Sequence, residues 1–181
     1  MAVDTRLTYE DFCLLPDDGK RREIIEGELF VTPSPQTPHQ RVVTRLSAYL
    51  WTYVDEHELG EVFAAPFDVV FSEFDVVEPD LLFISNARAE VLTGKNVQGP
   101  PDLVVEVLSE ATARVDRSVK LKLYGRFGVE EYWIVDPKGP KAEIYRRGDE
   151  GLELAASRTR KDRLDSPLLP GFSLRLGRLT E

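Results

Sequence analysis

Cysteine and histidine are almost absent from this sequence, which contains only Cys13, His39 and His57 of these two types. A single cysteine excludes an internal disulfide and a cluster of thiolate ligands. The two histidines lie far apart in the sequence, so a zinc site of the histidine type is disfavoured. The scarcity of both residue types therefore argues against thiolate and histidine metal centres.

Long apolar runs are missing too. The longest are of strand length, so no segment predicts a membrane span. Met1–Thr8 contain no apolar stretch of the signal-peptide type, and we expect a cytoplasmic protein. With 42% hydrophobic and 30% charged residues, the chain has the composition of an ordinary soluble protein. Its 181 residues suffice for one domain with a proper core, and we expect residues 1–181 to form one.

An excess of positive charge is also absent, because the formal net charge is −9. Tight non-specific binding to a polyanion depends on the neutralisation of phosphates by lysine and arginine. The overall charge therefore argues against such binding. Local basic stretches such as Lys20-Arg21-Arg22 either form a basic surface or balance acidic neighbours.

Apolar spacing predicts two main helices. Apolar residues recur at helical intervals from His39 to Leu59, and again from Thr112 to Phe127. Gly128 is expected to end the second helix as a C-terminal cap. Shorter helices are predicted at Thr8–Leu15 and Asn86–Leu92.

Most remaining apolar segments predict strands. Leu103–Leu108 is a continuous apolar run broken only by Glu106, which is typical of a central strand. The strand, helix and strand between Leu103 and Val135 form a crossover unit, which implies a parallel pair, whereas the hairpins imply antiparallel partners. The fold class is therefore predicted as α/β, with a mixed β-sheet core flanked by α-helices. The predicted strands and hairpins are Glu23–Val31 with a turn at Glu26-Gly27, Glu61–Ala65, Phe67–Phe71, Pro79–Ser85, Leu103–Leu108, Glu131–Val135, and Ala142–Arg147 with Leu152–Ala156.

Two carboxylates lie on or beside such apolar strands. Asp80 directly follows Pro79, and Glu106 lies between Val105 and Val107. A charge in a strand core is costly unless it meets a partner or a metal. If the two strands are neighbours, both carboxylates converge at one place on the sheet. Hard oxygen ligands at such a place suit Mg²⁺ or Mn²⁺.

Lys120 provides a cation close to these acids. It lies four residues after Asp116 and four before Tyr124, so the three share one helical face. A lysine at the sheet edge can orient the attacking water in phosphodiester hydrolysis, or stabilise charge in the transition state. The alternative is structural: an acid before a strand is usually exposed, and a lone glutamate in a strand can pair with an arginine.

The sequence resembles the Uma-two family of proposed endonucleases, in the PD-(D/E)XK restriction-endonuclease-like superfamily. The similarity runs from about Leu7 to the outer hairpin. It rests on the segments Arg22-Glu23-Ile24-Ile25-Glu26-Gly27-Glu28-Leu29, Pro33-Ser34-Pro35 with His39, Glu78-Pro79-Asp80, Pro101 to Ser109, then Asp116, Lys120 and Tyr124, and Gly128 to Pro137.

The resemblance implies that Asp80 and Glu106 bind the metal. In the simplest pattern of the superfamily a lysine follows the second acid by two positions, where this chain has Leu108. The resemblance thus implies that Lys120, on the next helix, replaces it. It also implies that Glu26 supplies an additional acid from the early hairpin.

Three further residues are candidates for supporting roles. His39 either contacts a phosphate or the site, or is exposed at the helix start. Tyr124 either donates a hydrogen bond to a site carboxylate or simply packs. Asp116 is expected to pair with Lys120 or Arg117.

Three functions follow from these residues. The first is a Mg²⁺-dependent endonuclease acting on DNA. The second is a non-catalytic binding or assembly module that retains the nuclease fold, an alternative favoured by the acidic net charge and the lack of a recognisable DNA-reading domain. The third is a hydrolase of another phosphate ester, such as a nucleotide. A homodimer is a conjecture from the small size of the chain, because dimerisation would add contacts to DNA.

Overall fold

Mixed β-structure dominates the computed structural model, which describes residues 6–16 and 18–181. The expectation that Met1–Thr8 contain no signal-peptide stretch falls mainly on residues that lie outside the described ones. The helices are α1 (Tyr9–Cys13), α2 (Thr37–Glu56), α3 (Ala113–Val115) and α4 (Leu121–Phe127), with a π-helical turn at Asp116–Lys120 and 3₁₀-helices at Asn86–Val91 and Leu176–Leu179. The strands β1 to β13 are Arg21–Ile25, Glu28–Thr32, Gly60–Ala64, Val69–Ser72, Asp75–Val77, Leu81–Ser85, Val97–Gln98, Leu103–Val107, Glu131–Asp136, Lys141–Gly148, Gly151–Thr159, Arg163–Ser166 and Leu169–Arg175.

A six-stranded sheet in the order β11-β10-β9-β8-β6-β3 forms the centre. Strands β8 and β9 are parallel, as the crossover predicts, and the other neighbours are antiparallel. A second sheet has the order β2-β1-β5-β4-β7, and β12 pairs with β13. These sheets and their flanking helices confirm the predicted α/β class.

Helix α2 covers one face of the six-stranded sheet. Its apolar stripe of Val42, Leu46, Leu50 and Val54 is buried against side chains of that face and of the β12–β13 hairpin. The helix begins two residues before the predicted His39, since proline is tolerated in the first helical turn, where its missing N–H has no intrahelical partner. His39 therefore lies within the first turn, at one end of the sheet.

Helix α4 and part of the second sheet cover the opposite face. Leu123 and Tyr124 of α4 pack with Tyr132 and Ile134 of β9 in a second apolar cluster. Gly128 ends α4 at a φ of 96°, which confirms the predicted cap. The predicted continuous helix from Thr112 to Phe127 is instead interrupted by the π-helical turn. No helix in the described part of the chain is long and apolar enough to cross a membrane.

Candidate active site

Asp80 and Glu106 lie at one end of the six-stranded sheet. Strands β6 and β8 are antiparallel, and Leu81 pairs with Val105. The next step of this register sets Asp80 opposite Glu106, so both side chains lie on one face. Each side chain is only 4% exposed. The structure thus brings together the two acids that the sequence singles out.

Asp80 is held by three donors. Arg21 Nη1 donates to Oδ1 at 2.7 Å, and Oδ2 accepts hydrogen bonds from His39 Nε2 at 3.0 Å and from the Val107 N–H at 2.8 Å. Burial acts to raise the pKa of Asp80, but His39, Arg21 and the Val107 N–H together lower it to about 2. Asp80 is therefore an ionised carboxylate. The exposed alternative for His39 is wrong, because this histidine is buried against Asp80.

Glu106 is bound by donors from the π-helical turn and from helix α4. Lys120 Nζ and Tyr124 Oη both donate to Oε1 at 2.8 Å. Oε2 faces Arg21 Nη2 at 3.9 Å. Burial raises the pKa of Glu106 to about 8, although the charge of Lys120 acts in the opposite direction. Tyr124 thus makes the hydrogen bond to a site carboxylate that the sequence left open.

Lys120 links the acids from within the π-helical turn. Its Nζ also donates to Glu23 Oε1 at 2.8 Å and lies 3.8 Å from Asp116 Oδ1. Burial opposes a charge on this lysine, but Glu106, Glu23 and Asp116 raise its pKa above the ordinary value. Lys120 is therefore a cation with one N–H left after its two hydrogen bonds.

Asp116 is the buried acid of the site that lacks hydrogen-bond donors in the described structure. Neither carboxylate oxygen has a hydrogen-bond partner among residues 6–16 and 18–181. Of the two partners expected for it, Lys120 is the one in ion-pair range, whereas Arg117 binds Glu143. Burial raises the pKa of Asp116, against the charge of Lys120. A buried carboxylate without a donor is costly, so a hydrogen bond from a water or a substrate group that reached these oxygens would stabilise them.

A cavity of about 330 Å³ opens onto these residues. Arg21, Asp80, Glu106, Asp116 and Lys120 line its polar side. Its other walls come from the proline-rich loop before α2, the first turn of α2, the loop between β8 and α3, and the β9–β10 turn. These walls include Pro33, Pro35, Pro38, Leu108, Ala111 and Pro137.

Glu26 does not belong to this cluster. It occupies the β1–β2 turn with a φ of 54°, its side chain is 70% exposed, and it pairs with Arg126. The acid that β1 contributes is Glu23, which accepts hydrogen bonds from Lys120 and from the Glu78 N–H. The expectation for Glu26 thus fails because a turn residue points away from the sheet.

Arg21 and Glu23 are the site residues that sequence reasoning missed. They lie two positions apart on β1, so their side chains point to the same face. The sequence did contain a signal for them. Glu23 directly precedes the apolar pair Ile24-Ile25, and Arg21 lies two residues before Glu23. What the sequence could not give is the pairing of β1 with β5, which carries these residues to the acids.

The donor set fits one divalent ion held by two carboxylates. Asp80 Oδ1 and Glu106 Oε2 face the same guanidinium group, so a cation already lies between them. Mg²⁺ commonly takes one or two carboxylates and keeps several waters, for which the cavity has room. Within the described residues, no three His, Cys, Asp or Glu side chains are placed to hold a metal together. The fit therefore rests on these two acids alone.

Comparisons with known proteins identify the family and the fold of the chain. The chain belongs to the Uma2 family, described as "Putative restriction endonuclease", whose model matches residues 9–177. The fold is also that of a crystal structure of a "putative nuclease belonging to DUF820" from Anabaena variabilis ATCC 29413. The TM-score is 0.80 at 18% identity, over 96% of this chain and 97% of the other. No curated protein is significantly similar in sequence. Membership in this family indicates a nuclease, which implies a nucleic acid substrate.

Proposed function

We propose that this protein is a Mg²⁺-dependent endonuclease that hydrolyses phosphodiester bonds of DNA. The observation that carries the proposal is the convergence of Asp80 and Glu106 on one face of the sheet, with Lys120 beside them. Membership in the Uma2 family supports the same chemistry.

Asp80 and Glu106 would hold the ion. Bound Mg²⁺ or Mn²⁺ supplies a Lewis acid for a phosphoryl oxygen and lowers the pKa of a bound water. His39 and the Val107 N–H fix the orientation of Asp80, and Tyr124 fixes that of Glu106. Fixed ligands keep their geometry when the substrate enters, which is the usual task of such supporting residues.

Lys120 would act as a cationic donor. Its raised pKa rules out a role as a general base at neutral pH, because the amine stays protonated. Its remaining N–H is available to orient the attacking water or to stabilise the charge that develops on the phosphate. Glu23 holds the ammonium group in place for this task.

Asp116 would accept a hydrogen bond from the attacking water. Both of its oxygens lack a partner among the described residues, and it lines the same cavity as Lys120. A water that donates to Asp116 and accepts from Lys120 would be oriented toward the phosphate.

Cleavage of supercoiled plasmid DNA tests the proposal. We expect nicking by the wild-type protein with Mg²⁺ or Mn²⁺ and none with a chelator. Asp80→Asn and Glu106→Ala should each lower the rate by about 10²-fold or more. Glu26→Ala is the matched control, since this acid lies outside the cluster, and it should cleave normally. Retained cleavage in both site variants would point to a contaminant and refute the assignment.

The non-catalytic module is the second candidate. A specific observation favours it: Arg21 and Lys120 already neutralise both acids inside the protein. This candidate predicts no Mn²⁺ binding in calorimetry. The endonuclease predicts Mn²⁺ binding that Glu106→Ala abolishes.

Substrate class separates the endonuclease from the phosphate-ester hydrolase. Parallel assays on plasmid DNA, single-stranded RNA and nucleoside triphosphates with Mn²⁺ should give cleavage of DNA. Turnover of nucleotides without nicking of DNA would favour the hydrolase.

A further inference from the structure

We propose that Arg21 is an internal counter-cation that occupies the metal position of the site. Its guanidinium holds Asp80 and Glu106 together without a divalent ion and moves aside when one binds. Arg21 is thus a positioning residue, and metal binding is an exchange of cations. This inference rests on the metal site of the proposed function.

The geometry places the guanidinium between the two acids. Nη1 lies 2.7 Å from Asp80 Oδ1, and Nη2 lies 3.9 Å from Glu106 Oε2. These are the two oxygens that the other donors leave open, because His39 and Val107 bind Asp80 Oδ2 and Lys120 binds Glu106 Oε1. A bridging ion would need the same two oxygens.

Electrostatics explains why the site needs such a cation. Two carboxylates face each other in a region from which water is largely excluded, so they repel each other when both are ionised. Lys120 compensates Glu106, but it makes no ion pair with Asp80. Arg21 is the cation that contacts both acids within the part of the chain that the structure describes.

Glu78 offers the displaced arginine another acceptor. Its Oε2 lies 3.6 Å from Arg21 Nε, which has no hydrogen-bond partner among the described residues. A rotation of the side chain can therefore exchange the two acids for Glu78 while the guanidinium stays paired.

Arg22 provides a matched control on the same strand. Successive side chains of a strand point to opposite faces, so Arg22 points away from the acids. It binds Asp18 and the Pro16 carbonyl instead. Its side chain is 13% exposed and that of Arg21 is 23% exposed, so both are largely covered.

Isothermal titration with Mn²⁺ tests the exchange. We expect Arg21→Met to bind Mn²⁺ about tenfold more tightly than the wild type, because no internal cation has to be displaced. Arg22→Met should bind with wild-type affinity. Without metal, Arg21→Met should melt several degrees below Arg22→Met, because it loses one buried ion pair. Added Mn²⁺ should remove most of this difference in melting temperature.

Arg21→Lys is a second variant that tests the exchange if the Arg21→Met protein does not fold. A lysine keeps the charge but has a single ammonium group and cannot span both acids, so its Mn²⁺ affinity should lie between those of Arg21→Met and the wild type.

Unchanged or weaker Mn²⁺ binding in both Arg21 variants would overturn the exchange. Absence of Mn²⁺ binding in every protein would overturn it together with the metal site. Tighter binding in the variants, combined with no cleavage of DNA by the wild type, would support the exchange and refute the endonuclease.

Discussion

At the scale of single residues, the site depends on which side chains of β1 point toward the acids. Arg21 and Glu23 do so, and each touches a residue that the sequence had already marked. Glu26, only three positions further along, binds Arg126 at the protein surface. The position of a charge within a strand or its turn therefore decides its role.

Glu23→Gln and Glu26→Gln form a matched pair that tests this distinction. Glu23→Gln removes the charge that holds Lys120, so DNA cleavage should fall roughly 10-fold to 100-fold. Glu26→Gln changes only an exposed ion pair. Its cleavage rate should therefore stay within about twofold of wild type, and its unfolding free energy within about 0.5 kcal/mol. Nicking rates and urea denaturation give both quantities. Equal losses in the two variants would contradict the placement of Glu23.

Asp116→Asn should separate stability from activity. The substitution removes a buried carboxylate that has no hydrogen-bond donor in the described structure, so the unfolding free energy at pH 7 should rise by about 1 kcal/mol. The same change weakens the acceptor for the attacking water and should lower the cleavage rate by about tenfold. Urea denaturation and plasmid nicking on one preparation measure both. A less stable variant with full activity would show that Asp116 serves only the fold.

At the scale of elements, the sequence predicts the segments whose pattern is local. The stripe of α2, the apolar run of β8 and the cap at Gly128 are visible without the structure, and so is the strand after Pro79. Strand β5 at Asp75–Val77 is too short for such a pattern, although it carries β1 into place. Asp80 and Glu106 could be singled out because they lie beside or within apolar strands, and Lys120 because it shares a helical face with Asp116 and Tyr124. Arg21 and Glu23 could not, because their role depends on non-local pairing.

The π-helical turn carries both Asp116 and Lys120. Such turns contain one residue more than a regular α-helix and are frequent at functional sites. Asp116 and Lys120 are both buried in it, whereas Ser118 is exposed. Both charged residues of this turn line the cavity.

Deletion of Ser118 should convert this turn into regular α-helix. Helix α4 stays anchored through Tyr124, so the preceding residues rotate by about 100° and Asp116 leaves the cavity. We expect far-UV circular dichroism close to wild type and cleavage lowered by about tenfold, as for Asp116→Asn. Ser118→Ala, which removes only the bond to the Arg114 carbonyl, is the control and should cleave normally. Wild-type activity after the deletion would show that the turn is dispensable.

At the scale of the whole molecule, both apolar clusters share the six-stranded sheet. One lies between the sheet and α2, and the other between the sheet and α4. That residues 1–181 form one domain stays a prediction, as do the homodimer and the cytoplasmic location. The shared sheet predicts one cooperative unfolding transition. Circular dichroism and tryptophan fluorescence should give coincident urea curves, whereas two separate transitions would contradict a single domain.

Anomalous scattering from crystals soaked in Mn²⁺ tests the central claim most directly. The account predicts one strong peak within about 2.0–2.6 Å of both Asp80 Oδ1 and Glu106 Oε2. Lys120 should remain bound to Glu106, and Arg21 should have turned toward Glu78. A well-ordered site at saturating Mn²⁺ with no peak there, and with Arg21 still between the two acids, would contradict it.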